Sequence, residues 1–444
     1  MAKLKAVKIC WTGFLLANWG IIFYHWFSGS GALLSEGLFS VLIALGRLTG
    51  LVAAYMILLQ FFLMGRMPWL ERLYGLDKLS RLHQKNGKFG FFFLALHPIL
   101  LTLGYSSLSG LNPWQQFLNF LTDYTHVLWA FAGAILFFTV ITTSIYIARS
   151  RVRYEAWYFV HLMAYLAVFA SFWHQISVGP DIIGNKFFYF YWIALYSAVF
   201  GSHIVFRFAR PVYLFFRHDF KVDRVVRESP SAVSLYISGK NMQSFPVRPG
   251  QFMIFRFLAK KLWWQAHPFS LSMLPDGKRI RITVKELGDF TKQIKNIAPG
   301  AKVLIDGPYG VFTDLFGISP KVLFVAGGIG ITPIRSLMEE MVKEGKDVAL
   351  IYGNRTQGEI VFRNELSYIS KQYAARVTHI LSDDAAYQGE TGHIDQEKIK
   401  RLVPDFLSRD IYLCGPPPMM ESLIASFRNL GIPSPSIHYE KFSF

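Results

Sequence analysis

Cysteine is nearly absent from this 444-residue chain, which contains only Cys10 and Cys414. Cys10 lies in the first apolar stretch and Cys414 lies in the less apolar second half, so the two residues form neither a disulfide framework nor a CxxC metal site. Redox chemistry in this protein therefore cannot rest on thiol pairs.

Acidic residues are also few. The chain has 29 Asp and Glu and 46 Lys and Arg, which gives a net charge of +17. Such a charge could indicate nucleic-acid binding, but the basic residues are concentrated at the N-terminus and in alternate connections between apolar stretches. They are Lys3, Lys5, Lys8, Arg66, Arg72, Lys78, Arg81, Lys85, Lys88, Arg149, Arg151, Arg153, Arg207, Arg210 and Arg217. Of the basic residues, the other connections contain only Lys186. The positive-inside rule predicts a cell-membrane protein with a cytoplasmic N-terminus and C-terminal half, and no nucleic-acid partner is expected.

Apolar residues make up 52% of the chain, the mean hydropathy is +0.30, and most of the excess lies before about residue 209. This part predicts six membrane spans. They cover roughly residues 9–27, 38–63, 80–105, 125–148, 155–178 and 186–209. The first apolar stretch has no small-residue cleavage site, so it is interpreted as a retained span in the lipid bilayer and not as a signal peptide.

The third span contains His83 and His97, and the fifth span contains His161 and His174. The two histidines of one span are separated by roughly 20 Å along the helix, which is most of the hydrocarbon core. Both spans run outward, so His83 matches His161 in depth (the inner pair) and His97 matches His174 (the outer pair).

Neutral imidazole is a good ligand for haem iron, and two histidines from neighbouring helices would clamp a haem between them. The inner and outer pairs therefore predict two haems stacked across the bilayer. The alternative is that these histidines only form hydrogen bonds between helices. The spacing of 13 residues between His161 and His174 leaves a rotational mismatch of about 140°, which a helix tilt or a local bulge must absorb.

Arg47 lies a few residues inside the outer end of the second span, where a cation is costly unless it is paired. A haem propionate at the outer level is one partner, and snorkelling to the interface is the alternative. His25 and His126 are interpreted as interfacial residues, and His203 is left without an assigned role.

After about residue 209, short alternating runs such as AVSLYIS and RIRITVKE predict a small antiparallel barrel. The segments HPFSLSM, from His267, and KELGDFT, from Lys285, lie inside it. Their polar side chains and backbone amides could hold a flavin and its pyrophosphate, with Gly288 allowing close approach and Thr291 opening a helix as its cap.

From about Pro320, strands alternate with helices, which predicts a parallel sheet. The strand KVLFVA, the turn GGIGITP and the following helix form a nucleotide-binding pattern in which Gly328 and Gly330 let the backbone approach a pyrophosphate. Arg355 ends the next strand, where it could meet a 2′-phosphate. A plain surface arginine is the alternative.

Together these motifs resemble the NADPH oxidase and ferric reductase superfamily. The resemblance rests on the histidine spacings, HPFSLS at 267–272, GDFT at 288–291, DGPYG at 306–310, GGIGITP at 327–333 and CGPPPM at 414–419. It implies a six-helix bis-haem transmembrane bundle (1–210), a ferredoxin-reductase-like FAD-binding β-barrel (211–318) and a Rossmann-like NADPH-binding α/β domain (319–444).

The resemblance also implies roles for individual residues. Those expected at FAD are His267, Pro268, Phe269, Ser270, Ser272, Lys285, Gly288 and Thr291. Those expected at NADPH, or at NADH in its place, are Gly328, Gly330, Thr332, Pro333, Arg355, Cys414, Gly415 and Pro416. The terminal Phe444 resembles the aromatic residue that covers the flavin ring in such chains, and a frayed terminus is the alternative.

The chain departs from the family pattern in two respects. It contains no EF-hand loop, so calcium gating is not expected. Leu101 stands one turn after His97, where many oxygen-reducing members carry a second histidine. The loops on the outer side are short, and no obligate protein partner is evident.

Three functions compete at this stage. The first is an oxidase that passes electrons from NADPH through FAD and two b-type haems to oxygen and produces superoxide. The second is a reductase that delivers them to a ferric chelate. The third is a transporter with a nucleotide-sensing domain, which leaves HPFSLS without a purpose.

Overall fold

The computed structural model describes residues 2–147 and 154–440, and it describes the side chains of residues 6–145, 156–315 and 317–440. The chain divides into two units. The membrane unit comprises Met1–Arg66 and Lys78–Val205, and the strand-rich unit comprises Met67–Asp77 and Phe206–Phe444. Phe444 and the loop residues Arg149, Arg151 and Arg153 lie outside the described residues, and what the sequence predicts for them stays a prediction.

The first half of the chain consists of helices and short connections, without a strand among its described residues. Its helices are α1 (Ala2–Ser30), α2 (Leu38–Leu63), α3 (Pro68–Tyr74), α4 (Leu76–Ser109), α5 (Pro113–Asp123), α6 (Val127–Ile147), α7 (Tyr154–Val178), α8 (Pro180–Ile183) and α9 (Lys186–Ser202). Among the described residues, six stretches are long and apolar enough to cross a membrane: Ala6–Ser35, Leu38–Leu63, Leu76–Ser109, Val127–Ile145, Ala156–Val178 and Lys186–His218. The predicted count of six is confirmed.

Two asparagines define where helices begin on one side of the membrane unit. Asn112 accepts a hydrogen bond from the amide of Gln115 at 2.9 Å, and the Gln115 side chain accepts one from the Asn112 amide, which is a complete capping box before α5. Asn185 caps α9 with a single hydrogen bond, which its side chain accepts from the amide of Phe188 at 3.0 Å. These caps satisfy amides that a helix start leaves without partners.

The two spans with predicted haem ligands differ in regularity. α4 contains Pro98, directly after His97, and proline removes one backbone hydrogen bond from a helix interior. α7 is one continuous α-helix without a bulge among its described residues. Of the two ways to absorb the 13-residue mismatch, a local bulge is therefore not the one used.

The strand-rich unit begins with α10 (Arg210–His218), which ends at Asp219 in the left-handed conformation and leads into the first strand. The barrel consists of two antiparallel three-stranded sheets with the orders β1-β2-β5 and β4-β3-β6. Its elements are β1 (Lys221–Ser229), β2 (Ala232–Ser238), β3 (Phe252–Phe257), β4 (His267–Ser270), β5 (Arg279–Lys285), α11 (Asp289–Ile294) and β6 (Val303–Tyr309).

The interior of the barrel follows from the alternation of its strands. Leu235 of β2, Phe255 of β3 and Ile282 of β5 are fully buried and pack together in one core. Each such side chain contributes about 1.5 to 3 kcal/mol when it is removed from water. The antiparallel barrel predicted from the sequence is confirmed.

The last part of the chain forms a parallel sheet in the order β10-β9-β8-β7-β11-β12. Its elements are β7 (Lys321–Gly327), α12 (Ile331–Lys343), β8 (Asp347–Asn354), α13 (Arg363–Tyr373), β9 (Arg376–Leu381), β10 (Glu390–Thr391), α14 (Gln396–Leu402), β11 (Asp410–Cys414), α15 (Pro417–Asn429) and β12 (Ile437–Tyr439). β7 lies between β8 and β11, so the strand order reverses at β7. In open parallel sheets, ligands bind at the carboxyl ends of strands at such a reversal.

Candidate functional site

The inner histidine pair lies between α4 and α7 of the membrane unit. The ring centroids of His83 and His161 are 6.0 Å apart. Nδ1 of His83 lies 3.3 Å from the carbonyl oxygen of Gln60, and Nδ1 of His161 lies 3.3 Å from the hydroxyl of Ser144. Both rings can therefore donate a hydrogen bond from Nδ1.

The Ser144 hydroxyl is itself fixed in position. It donates to the carbonyl of Val140 at 2.6 Å and accepts from the indole nitrogen of Trp157 at 3.1 Å. Because its own proton is committed to Val140, the hydroxyl acts as an acceptor toward His161. Such outer contacts orient metal-binding histidines and set their tautomer.

The outer pair consists of His97 and His174, whose ring centroids are 6.5 Å apart. Nδ1 of His174 is buried without a hydrogen-bond partner among the described residues. Nδ1 of His97 donates to the carbonyl of Gly46 at 2.7 Å. A Cβ added at Gly50, one turn further along α2, would lie 2.6 Å from the His97 ring. The two glycines of α2 therefore form the surface against which the His97 ring lies.

The spacing of the rings fits one iron between each pair. Bonds from a metal to an imidazole nitrogen are about 2 Å long, so two imidazoles on opposite sides of one iron place their ring centres about 6 to 6.5 Å apart. The two observed distances, 6.0 and 6.5 Å, agree with this value. The residues present thus suit two bis-histidine haems, and the ligand assignment itself stays a prediction.

Arg47 has protein partners in the membrane unit. Its guanidinium donates to the hydroxyls of Tyr105 at 2.9 Å and Ser30 at 3.2 Å, and Ser30 donates to Asp181 at 2.7 Å. Arg47 is half-buried, and the buried Asp181 supplies a negative charge nearby. This polar cluster explains how a cation is accommodated in the span without a propionate, whose contact with Arg47 remains a prediction.

The other membrane histidines have different surroundings. His203 is buried, with Nε2 2.6 Å from the carbonyl of Phe61 and Nδ1 2.9 Å from the hydroxyl of Tyr165. His25 stacks on Phe188, with ring centroids 4.7 Å apart. Both nitrogens of His203 are therefore within hydrogen-bond distance of protein groups.

The residues expected at FAD begin on β4, an edge strand of its sheet. His267, Pro268 and Phe269 are half-buried, and the His267 ring stacks on Phe290 with centroids 3.8 Å apart. Pro268 fits here because an edge strand leaves one side without ladder hydrogen bonds. The buried Ser270 hydroxyl has no hydrogen-bond partner within the described residues, so the fold leaves a polar group that a bound cofactor could satisfy.

Ser272 differs from its neighbours on HPFSLS. It is fully buried, and its hydroxyl contacts the Arg281 side chain at 3.1 Å and the Thr283 hydroxyl at 2.8 Å. The structure places this residue in the barrel core, where its hydroxyl joins β5 to the segment after β4. Its predicted contact with FAD stays a prediction.

The segment KELGDFT lies where β5 ends and α11 begins. Gly288, and not Thr291, is the N-cap of α11. The Thr291 hydroxyl reaches back from the third helical position and accepts from the amides of Leu287 and Gly288 at 2.9 Å each. The prediction that a helix begins in this segment is confirmed, but the predicted cap residue is wrong by three positions. Lys285 lies 3.7 Å from Glu359 in an ion pair.

The two glycine-containing turns after β7 and β11 lie side by side at the reversal of strand order. A Cβ added at Gly330 would lie 2.3 Å from the carbonyl oxygen of Cys414, and one added at Gly415 would lie 3.0 Å from the amide nitrogen of Gly327. Gly328 has φ of +53°, which glycine adopts most easily. The predicted residues Gly328, Gly330, Cys414, Gly415 and Pro416 therefore share one edge of the sheet.

Thr332 and Pro333 lie in the first turn of α12, and both are buried. The Thr332 hydroxyl donates to the carbonyl of Ile329 at 3.0 Å and holds the turn onto the helix. Cys414 is fully buried, and burial raises the pKa of its thiol, so it does not offer a reactive thiolate.

Arg355 follows β8 at the same edge of the sheet. Its side chain is largely exposed, and its Nε donates to Asp383 at 2.8 Å. The guanidinium holds the pKa of Asp383 below its usual range. The position fits the predicted contact with a 2′-phosphate, but a carboxylate already pairs with the cation there.

Three family models match consecutive parts of the chain. The ferric reductase like transmembrane component matches residues 49–172, the FAD-binding domain matches 220–313, and the oxidoreductase NAD-binding domain matches 324–424. The chain has the architecture of the NADPH oxidase and ferric reductase superfamily. It combines FAD-binding and NAD-binding domains with a ferric-reductase-like multi-pass membrane domain.

Individual relatives match about half of the chain. The glycine betaine monooxygenase reductase subunit of Chromohalobacter salexigens is 27% identical, with coverage of 51% of this chain and 64% of that protein. The probable dihydroorotate dehydrogenase B (NAD(+)) electron transfer subunit of Methanocaldococcus jannaschii is 29% identical, with coverage of 48% of this chain and 74% of that protein. The chain thus spans less than two thirds of the first of these.

Among solved structures, the flavohem-like FAD/NAD-binding domain of nitric oxide dioxygenase from Vibrio cholerae O1 biovar El Tor is similar over 50% of this chain and 97% of its own, at 23% identity and a TM-score of 0.46.

The residues that support the membrane histidines, and the helix α3, are not predicted from the sequence. The glycines at 46 and 50 that adjoin His97, and Ser144 beside His161, are not apparent from histidine spacing. The four-residue interval between Gly46 and Gly50 is one helical turn, and it could have indicated a face for close approach. α3 was missed as well: the sequence predicts only a basic connection there.

Proposed function

We propose that this protein passes electrons from cytoplasmic NADPH through FAD and two b-type haems to oxygen on the other side of the membrane, and produces superoxide. The overall reaction converts one NADPH and two oxygen molecules into NADP⁺, one proton and two superoxide ions. The observation that carries the proposal is the pair of facing imidazole sets at 6.0 and 6.5 Å in the membrane unit.

The need for a flavin follows from electron counting. When bound, FAD accepts a hydride and releases single electrons, and haem iron carries one electron at a time. The chain's own residues bind and orient these groups: His83 and His161 hold the inner haem, and His97 and His174 hold the outer one. No side chain needs to abstract a proton.

The nucleotide end of the proposal rests on backbone geometry. The turn at Gly328 and Gly330 leads into α12, whose N-terminus favours a pyrophosphate. Cys414 and Gly415 border the same crevice, where the nicotinamide would approach the flavin. Arg355 would exchange Asp383 for the 2′-phosphate of NADPH, which allows NADH as a weaker substrate.

A ferric-chelate reductase is the second candidate, and one contact favours it. Leu101 packs against α2 beside His97, since a Cβ added at Gly46 would lie 2.7 Å from its side chain. Many oxygen-reducing members of the superfamily have a histidine at this position. With Leu101 at this position, no histidine side chain is offered to oxygen there. A ferric chelate would not need that histidine, because it would accept electrons at the outer face.

The two candidates are separated by NADPH consumption by the purified protein. We expect a one-electron reporter to be reduced in air and superoxide dismutase to suppress most of that signal. Reporter reduction that is insensitive to the dismutase, together with fast anaerobic reduction of a ferric chelate, would instead establish the reductase. The cytoplasmic orientation is tested separately, by supplying NADPH to either side of oriented vesicles.

A further inference from the structure

Two buried carboxyl groups converge on Gly310 in the strand-rich unit. Glu71 of α3 is 2% exposed, and its Oε1 accepts a hydrogen bond from the Gly310 amide at 2.8 Å. Glu440, directly after β12, is 9% exposed, and its Oε1 lies 3.2 Å from the position that a Cβ on Gly310 would occupy. Gly310 has φ of +101°, so a residue without a side chain suits this position.

The location of Glu440 links it to the predicted nicotinamide end. β11 and β12 are parallel neighbours, and Leu413 is in register with Tyr439. The next residues along the two strands, Cys414 and Glu440, therefore lie beside each other, and the charge of Glu440 acts on the Cys414 thiol. Oε2 of Glu440 is buried without a hydrogen-bond partner among the described residues.

A buried pair of carboxylates is unfavourable, because desolvation and mutual repulsion both oppose full ionisation. Burial raises the pKa of Glu71 to about 7, and hydrogen bonds from the amides of Gly310 and Leu76 act in the opposite direction. Burial, followed by the charges of Glu71 and Asp77, raises the pKa of Glu440. The charge of Arg72 lowers the pKa of Glu71, and its effect is smaller than those of burial, the two backbone hydrogen bonds and Asp77.

We propose that Glu71 is a positioning residue for the nicotinamide end: with Glu440 it forms a proton-sharing carboxyl pair that holds the carboxyl end of β12 against the turn at Gly310. Ionisation of the pair loosens this end of the strand. The inference rests on the proposed function only in taking Cys414 as part of the nicotinamide site. It makes the connection between the second and third spans a component of the nucleotide-binding end of the protein.

The direction of the pH effect follows from the raised pKa of Glu71. A carboxyl whose pKa is higher in the folded state contributes stability that is complete below its unfolded value and is lost as pH rises through the folded value. The window therefore extends from about pH 4.5 to about pH 7 for Glu71. At pH 6 the pair holds the carboxyl end of β12, and at pH 8 this end of the strand is loosened.

The test is amide hydrogen exchange of residues 437–439 in the full-length protein with FAD, at pH 6 and pH 8, corrected for the intrinsic pH dependence of exchange. For the wild type we expect protection to fall about tenfold, because one pH unit above the pKa leaves about a tenth of the group protonated. Glu71→Gln keeps an acceptor for the Gly310 amide and removes the charge, so protection should stay high at pH 8. Glu397→Gln, at a largely exposed carboxyl of α14, is the matched control and should behave as the wild type.

The pair should also give a kinetic signature, with the KM for NADPH in flavin reduction rising between pH 6 and 8 in the wild type and staying flat in Glu71→Gln. If Glu71→Gln fails to fold, infrared titration of the wild type replaces it and should show a carboxyl that is protonated at pH 6 and largely ionised at pH 8. Exchange that is independent of pH in the wild type, or no protonated carboxyl at pH 6, overturns the inference. Amide exchange, flavin reduction by NADPH and infrared titration need no electron acceptor outside the protein. A failure to make superoxide would therefore leave the inference about Glu71 intact.

Discussion

The membrane unit and the strand-rich unit form their candidate sites in different ways. In the membrane unit, four side chains of one residue type project from two helices, and their rings are already spaced for a metal. In the strand-rich unit, the nucleotide crevice is formed mainly by backbone, since glycines allow two turns to touch. A site formed by side chains should lose its cofactor when one of the binding side chains is removed. A site formed by backbone should lose affinity when a side-chain atom is added to one of its glycines.

The largest expected effect is on the outer histidine pair. His97→Ala should reduce the haem content from two per chain to about one, because a single remaining imidazole cannot clamp the iron from both sides. Pyridine haemochrome analysis measures the ratio. FAD reduction by NADPH should be unchanged, and His203→Phe, which alters a histidine with both nitrogens bound to protein, should retain two haems. Two haems in His97→Ala would disprove the assignment.

The next effect concerns the backbone site. Gly330→Ala places a Cβ 2.3 Å from the Cys414 carbonyl oxygen, so the turns after β7 and β11 must separate. Overpacking of this kind costs about 1 to 3 kcal/mol, which corresponds to a loss of NADPH affinity of roughly tenfold or more. Equilibrium titration of NADPH tests this. Gly358→Ala, where a Cβ meets nothing within 4 Å, is the control, and equal affinities in the two variants would contradict the account.

The same contrast explains how much was predictable from the sequence. Six spans, the barrel and the parallel sheet follow from hydrophobic period and turn residues, which are local signals. The histidine pairs were predictable because depth in a membrane is set by position along a helix. The polar partners of Arg47 and the Gly310 contact of Glu71 join residues that are far apart in sequence, and no local pattern encodes such contacts.

The position of the α11 cap shows the limit within a local motif. The sequence GDFT contains three residues that can cap a helix, Gly288, Asp289 and Thr291, and threonine and glycine are about equally favoured as N-caps. In the structure Gly288 takes the cap position and Thr291 bonds back to its amide. The choice depends on the direction in which β5 delivers the chain, which the motif does not specify.

A smaller effect is expected where an atom is added beside a ligand. Gly50→Ala places a Cβ 2.6 Å from the His97 ring, which must turn or shift away from α2. We expect partial loss of the outer haem, to between one and two per chain, by the same pyridine analysis. Gly20→Ala has open space around its Cβ and should keep two haems. Full occupancy in Gly50→Ala would show that the His97 ring does not depend on α2.

The smallest effect is expected at Arg355, which is exposed and paired with Asp383. Arg355→Ala should raise the KM for NADPH by up to about tenfold and that for NADH much less, because a guanidinium grips a phosphate in a bidentate way. The difference should shrink at high salt, since exposed charges are screened. Asp383→Asn is the companion variant and should lower the KM for NADPH. Equal changes for both nucleotides would make Arg355 a surface residue.

The most direct measurement is the ratio of haem to flavin in the purified wild-type protein. Two bis-histidine sites and one flavin site predict two low-spin b-type haems for each FAD, by pyridine haemochrome analysis and flavin fluorescence on the same sample. Stopped-flow mixing with NADPH under anaerobic conditions should then reduce both haems. A ratio of one or zero, or haems that stay oxidised while the flavin is reduced, would contradict the proposed electron path.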